Sequence, residues 1–189
     1  MATVSPNAPA SDPGLIFYDI AFTKPYEKTS SAPNPWKARY ALNLKSAPYT
    51  TTWVQMPNIT TLRRSLNVPP CRNFADGTEF HTLPMLRDPG TGTVIGDSFD
   101  IAIYLQRTFP EGDDLFLEQD LSFECSGPLL IPLSERNYAD KVHAEYARFN
   151  NAVDNAFTLH VPLMAHGMRF DPEVEEEVRA EFERFGDVK

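Results

Sequence analysis

Cysteine is scarce in this chain. The only two, Cys71 and Cys125, stand fifty-four positions apart without a CxxC pair, which excludes a disulfide framework and a thiolate zinc cluster. No such staple is needed, because a chain of 189 residues can bury roughly 70% of the surface its unfolded form exposes. Positive charge is also short. Lys and Arg number 17 against 26 Asp and Glu, a net charge of −9, and a phosphate-reading surface needs a cationic patch, so no nucleic-acid partner is expected. No apolar run approaches the ~18 residues of a membrane-spanning helix, so no membrane partner is expected. The opening MATVSPNAPASDPG has no cationic stretch followed by an apolar one; no secretory signal is read, and a cytoplasmic location is expected. Glycine is sparse at nine residues, and its densest run, Gly90 to Gly96, has the wrong spacing for a dinucleotide loop. The four histidines, His81, His143, His160 and His166, lack metal-ligand spacing, and no metal site is expected.

The charge that is present is unevenly spread. Residues 1–110 carry ten Lys and Arg against eight Asp and Glu, whereas residues 111–189 carry seven against eighteen. The change falls at Pro110-Glu111-Gly112-Asp113-Asp114, a cluster with turn chemistry, and a domain boundary is placed there. Residues 1–13 have almost nothing to bury and read as a disordered tail.

Between residues 14 and 110 strand-like and helix-like signals alternate. Leu15 to Ile20 is an apolar, β-prone run and reads as a buried strand. Trp36 to Leu44 reads as a helix in which Asn34 can cap and Pro35 suits the first turn. Tyr49 to Gln55 is β-branched and aromatic, a second strand, and Ile59 to Leu66 a short helix whose Arg63 and Arg64 suit a solvated face. His81 to Arg87 is a third strand candidate and Thr93 to Gly96 a fourth, joined by Pro89-Gly90-Thr91-Gly92 into a hairpin. Asp97 then caps a helix running to Phe109. The order βαβ–ββα, followed by helical patterns, reads as α/β or α+β with one sheet, not a bundle. In the second half Tyr138, Val142, Tyr146, Phe149, Val153, Phe157 and His160 recur at helical steps. Asp171 to Phe185 repeats the pattern, with Pro172 in its first turn.

Pro84 interrupts the third strand. A proline has no N–H for the ladder, which places such a strand at a sheet edge. The alternative is a cis Leu83–Pro84 bond, which turns the Leu83 backbone outward and leaves its polar groups for a ligand. On the residues alone the edge strand is favoured.

Several stretches taken together carry a resemblance. Ala32-Pro33-Asn34-Pro35-Trp36-Lys37-Ala38-Arg39-Tyr40-Ala41-Leu42-Asn43, then Thr82-Leu83-Pro84, then Asp88-Pro89 through Ile95, then Asp97-Ser98-Phe99-Asp100-Ile101-Ala102 with Tyr104-Leu105, resemble in order and spacing the first domain of cytosolic glutathione transferases. The similarity is greatest to the fungal class related to bacterial β-etherases, and it covers residues 14–110 densely and the remainder weakly. It implies a thioredoxin-like glutathione-binding domain at 14–110 and an all-α domain at 111–189, the latter shorter than the family's. It further implies glutathione as co-substrate, a small hydrophobic electrophile as second substrate, and a homodimer. Carried over residue by residue, Leu83 held by cis-Pro84 meets the cysteinyl backbone of glutathione. Asp97 and Ser98 meet its γ-glutamyl end, where a helix N-terminus favours a carboxylate, and Trp36 lies nearby. The implied activity is conjugation, or glutathione-dependent ether cleavage or rearrangement, with a tailoring step in secondary metabolism or a detoxification as its setting.

Glutathione transfer requires lowering a thiol pKa near 8–9, and the family's activating serine directly precedes its Pro-Asn. Here that position is Ala32, with Ser30 and Ser31 before it. Three readings follow. Ser31 takes over after a one-residue shift of the loop; Asn34 donates through its amide; or the thiol is not activated, and the chain is a non-catalytic binding module on the same fold. Neither Cys71 nor Cys125 falls in this loop, so a mixed-disulfide mechanism is not expected.

Overall fold

The computed structural model describes residues 14–73, 77–127, 143–161, 163 and 167–186. A four-stranded sheet forms the first layer, its strands lying side by side in the order β2 (Tyr49–Gln55), β1 (Leu15–Ala21), β5 (Met85–Arg87) and β6 (Val94–Ile95). β1 lies parallel to β2, in register from Leu15 opposite Tyr49 to Ala21 opposite Gln55. A parallel pair needs a crossover, and α1 (Tyr26–Thr29) with α2 (Pro33–Leu44) supplies it. β5 runs antiparallel to both β1 and β6. Asp88 shapes the β5–β6 hairpin, its Oδ1 accepting from the Gly90 amide at 2.8 Å. A 3-10 turn (Met56–Asn58) and α3 (Ile59–Ser65) follow β2, and a separate ribbon pairs β3 (Arg72–Asn73) with β4 (Glu79–Phe80). α4 (Ser98–Thr108) closes this part. The expected βαβ–ββα order stands, with the β3–β4 ribbon inserted.

β1 has apolar side chains on both faces because both faces of the sheet are covered. Successive side chains alternate, so Leu15 and Phe17 join Ala38, Leu42, Leu86, Ile101 and Leu105 beneath α2 and α4. Tyr18, Ile20 and Phe22 face the other way, toward Val54, Ile59, Leu83 and Met85. Phe170 and Val178 complete that second cluster, so the segment leading into α6 (Glu175–Gly186) packs on the face opposite α2. Two expected elements begin later than their patterns suggest. The third strand starts at Met85 rather than His81, and the last helix at Glu175 after a turn through Asp171–Val174.

α5 (Ala144–Thr158) corrects a further expectation. Its buried face carries Ala147, Asn151 and Asn155, the Asn155 amide donating to the Asn151 carbonyl at 2.9 Å. The apolar stripe Tyr146, Phe149, Val153 and Phe157 instead lines an open cleft; Tyr138 and Val142 lie outside the described residues. Beyond α4 the chain crosses the C-terminal end of α2. There Gly112 lies so close to Lys45 that a Cβ would stand 2.6 Å from the Lys45 Cα.

One charge pair sits inside the first core. Asp19 is fully buried on β1 and accepts from Arg39 Nη2 of α2 at 2.6 Å, with an Arg39 side chain only 13% exposed. The guanidinium also lies within 5.0–5.9 Å of the rings of Phe17, Trp36, Tyr49 and Trp53, a geometry that suits a weakly hydrated planar cation. Removing one partner of a buried pair strands the other charge. Arg39→Ala is therefore expected to lower unfolding free energy by about 3–5 kcal/mol in urea titration; a loss below about 1 kcal/mol, typical of an exposed pair, would contradict this account.

Candidate functional site

Leu83–Pro84 is a cis peptide bond, and both residues are buried. Pro84 directly precedes β5, which lies between β1 and β6 inside the sheet. The edge-strand reading is thereby corrected: no ladder bond is asked of Pro84, because the β1–β5 register begins with Tyr18 opposite Met85. The Leu83 backbone stands just beyond that register.

The second element is the start of α4. Asp97 has extended backbone angles, and its Oδ1 accepts from the amides of Phe99 at 2.8 Å and Asp100 at 3.1 Å. This is the capping expected from the sequence. Ser98, the first helical residue, is 7% exposed. α4 therefore begins with a carboxylate that caps two of its first amides and with a buried hydroxyl, in one place.

Arg63 joins these two elements, and here sequence reasoning failed. It is not solvated but 1% exposed. Its Nη1 donates to the Thr82 carbonyl at 2.6 Å and to the Gly96 carbonyl at 3.0 Å, and its Nη2 to the Pro69 carbonyl at 2.6 Å. Thr82 precedes Leu83, and Gly96 precedes Asp97. Arg64, its neighbour, is the exposed residue of the pair, bonded to Glu79 at 2.8 Å. A basic residue in a short helix gives no sequence signal of which way it faces.

The third element is the start of α2. Its N-cap is Ala32, with no side-chain cap, so Asn34 lies within the first turn and does not cap as expected. Asn34 Oδ1 is buried and has no hydrogen-bond partner among the described residues. Ser30 is already engaged: its hydroxyl donates to Asp19 Oδ2 at 3.2 Å, and its carbonyl accepts from Trp36 Nε1 at 2.9 Å. Ser31 is exposed and lines a cavity of about 480 Å3 with Phe22, Thr23, Thr29, Met168 and Arg169. Ala32 packs on the cluster that contains Leu83, so the α2 start and the cis bond share one body of core.

A second cavity, about 420 Å3, opens between α2, α4 and α5. Trp36, Tyr40, Phe99, Phe116, Tyr146 and Phe149 line it, so Trp36 turns toward α5. At its side Lys37 of α2 bonds Asn150 Oδ1 at 2.7 Å and the Asp154 carboxylate of α5. Burial, the dominant influence, pushes the Asp154 carboxyl above the usual carboxylate range; Lys37 opposes this and the neighbouring Asp97 carboxylate adds to it. Lys37, Asn150 and Asp154 were not singled out by any sequence motif, since they meet only in the folded chain. Cys71 and Cys125 are half-buried and form no disulfide, and the Cys71 thiol donates to the Thr82 carbonyl at 3.9 Å. Among the described residues no group of three or more His, Cys, Asp and Glu side chains could hold a metal ion, and no helix is long and apolar enough to cross a membrane.

Residues 32–108 match the family model described as glutathione S-transferase, N-terminal domain. The chain is 33% identical over 126 residues to the glutathione S-transferase-like protein ustS of Aspergillus flavus, an alignment covering 62% of this chain and 44% of that protein. A glutathione S-transferase of Ceriporiopsis subvermispora, CsGST63524, solved in complex with glutathione, is similar at 32% identity and a TM-score of 0.67. That match covers 93% of this chain and 61% of the other. Glutathione transferase GSTFuA2 of Phanerochaete chrysosporium gives 30% identity, a TM-score of 0.65 and coverage of 92% and 62%. The chain thus spans under half the length of the curated relative and about three fifths of these two structures.

The raised Asp154 carboxyl has a consequence for stability. The folded chain holds that proton more tightly than the unfolded one, so ionisation of Asp154 destabilises the fold. The loss is absent below the ordinary carboxylate pKa of about 4 and develops as pH rises through the raised value. Asp154→Asn cannot ionise. Its urea midpoint, taken relative to the natural chain, is expected to improve from about pH 4 to about pH 7; a flat or falling difference would refute the assignment.

Proposed function

Because the chain belongs to the glutathione S-transferase superfamily, among its fungal members, we propose that it binds glutathione across the Leu83–Pro84 segment and the N-terminus of α4. The observation that carries this reading is the juxtaposition of these two segments through one buried arginine, Arg63. The Leu83 backbone, free of the ladder, pairs with the cysteinyl backbone. Ser98, at the positive end of the α4 dipole, receives the γ-glutamyl carboxylate, and the Asp97 carboxylate offsets its ammonium. The thioredoxin-like, glutathione-binding unit runs over 14–110 and the helical unit over 111–189.

In this reading the thiol lies at the start of α2 and a hydrophobic electrophile occupies the adjoining cavity, in which Phe22 and Met168 supply apolar surface. Conjugation, or glutathione-dependent ether cleavage or rearrangement, is the reaction class. Ser31 is the available hydroxyl, since Ser30 is held by Asp19. Asn34 is the alternative: its amide, rotated half a turn, presents an N–H donor in place of the buried Oδ1. Homodimerisation, a cytoplasmic location and a role in detoxification or secondary metabolism rest on kinship alone. A second reading, a non-catalytic glutathione-binding module, is favoured by the uncapped Ala32 at the family's hydroxyl position.

Calorimetric titration with millimolar glutathione is expected to give saturable binding, weakened about ten- to hundredfold by Ser98→Ala through loss of a hydrogen bond to a charged group. No binding by the folded natural chain would reduce the kinship to one of fold. With a general aromatic electrophile, Ser31→Ala or Asn34→Ala is expected to lower turnover at least about tenfold. Undiminished turnover in both would remove both residues from the mechanism, and no turnover by the natural chain would establish the binding module.

A further inference from the structure

The β5–β6 ladder pairs Leu86 with Ile95 and Arg87 with Val94. Beyond it, at the end where β5 begins and β6 leaves, Thr82–Leu83 and Gly96–Asp97 lie outside the strand pairing. Arg63 spans that opening. A single nitrogen, Nη1, holds the Thr82 and Gly96 carbonyls at 2.6 and 3.0 Å while Nη2 holds Pro69 at 2.6 Å. The guanidinium is planar and its donors diverge at fixed angles, so these bonds fix the separation of the two segments. Packing reinforces this: a Cβ on Gly96 would stand 2.6 Å from Arg63 Nη2 and 2.3 Å from Val68 Cγ1. A cation that is 1% exposed has given up its hydration, a large loss unless hydrogen bonds replace it.

We propose that Arg63 is a positioning residue for ligand binding: it makes the Leu83–Pro84 segment and the Asp97–Ser98 helix start one rigid site of fixed width, without touching the ligand. The identity of the ligand as glutathione rests on the reading above; the coupling of the two segments does not. Lysine keeps the charge but has a single rotatable ammonium in place of the fork, so Arg63→Lys should lose the spacing even where it retains the fold.

The test compares the natural chain, Arg63→Lys and Leu42→Ala, the last removing a fully buried side chain from the core beneath α2 and serving as a control for lost stability. Amide hydrogen exchange is read without ligand at residues 82–83 and 97–98, and glutathione affinity by calorimetry. In Arg63→Lys both segments should exchange faster together, by at least about tenfold beyond the change in Leu42→Ala, and affinity should fall at least about tenfold. If Arg63→Lys does not fold, Gly96→Ala, which forces a methyl against both Val68 and the guanidinium, should speed exchange at residues 82–83 across the gap. Natural-like exchange and affinity in Arg63→Lys, or exchange raised no more than in Leu42→Ala, overturns the proposal, as does a Gly96→Ala effect confined to its own segment. A natural chain that binds no glutathione overturns the ligand assignment, and the exchange comparison still decides the coupling.

Discussion

The Asp19–Arg39 pair is the constraint on which the first half of the molecule hangs. A carboxylate with no solvent access at the centre of β1 must be met by a cation, and Arg39 of α2 meets it at 2.6 Å. That contact sets where α2 lies on the sheet, and the four rings around the guanidinium hold it in place. It also recruits the Ser30 hydroxyl, so the loop ahead of α2 is tied down one residue before Ser31. Ser31, the next residue, is exposed, and Ala32 at the N-cap has no polar atom with which to cap.

What could be read in advance was local. The Asp97 cap, the β2 strand and the β5–β6 turn each depend on a few neighbouring residues, and the structure has them where the sequence places them. The Leu83–Pro84 segment needed more than local rules: on its own residues an edge strand was favoured, and only the order of several stretches together pointed to the cis bond. Arg63 was illegible because the arginine beside it, Arg64, has the same chemistry and the opposite environment; three carbonyls brought together from Pro69, Thr82 and Gly96 decide between them. The α5 stripe misled in the other direction. Its period is correct for a helix, but period does not tell a filled core from a cleft, and the buried face is the one with Asn151 and Asn155, which bond to each other along the helix.

The two cavities differ in kind. One adjoins the α2 start and mixes hydroxyls, apolar side chains and a guanidinium. The other is a cleft lined by aromatic rings, with Lys37 and Asp154 as a polar tie between α2 and α5. The tie places the raised Asp154 carboxyl beside the Asp97 cap, so the charge state at the start of α4 is felt across the cleft by a helix from the second half of the chain.

Gly96 and Arg63 also constrain how this sequence can change over time. While the guanidinium is in place, any side chain at position 96 must collide with it or with Val68. Loss of the arginine, together with a shift or trimming of Val68, which stands still closer at 2.3 Å, would open room for a larger residue at 96, and that residue would then bar the arginine's return. Drift through these two positions therefore has a preferred order and works as a ratchet: each replacement that follows the first makes the ancestral pair harder to recover.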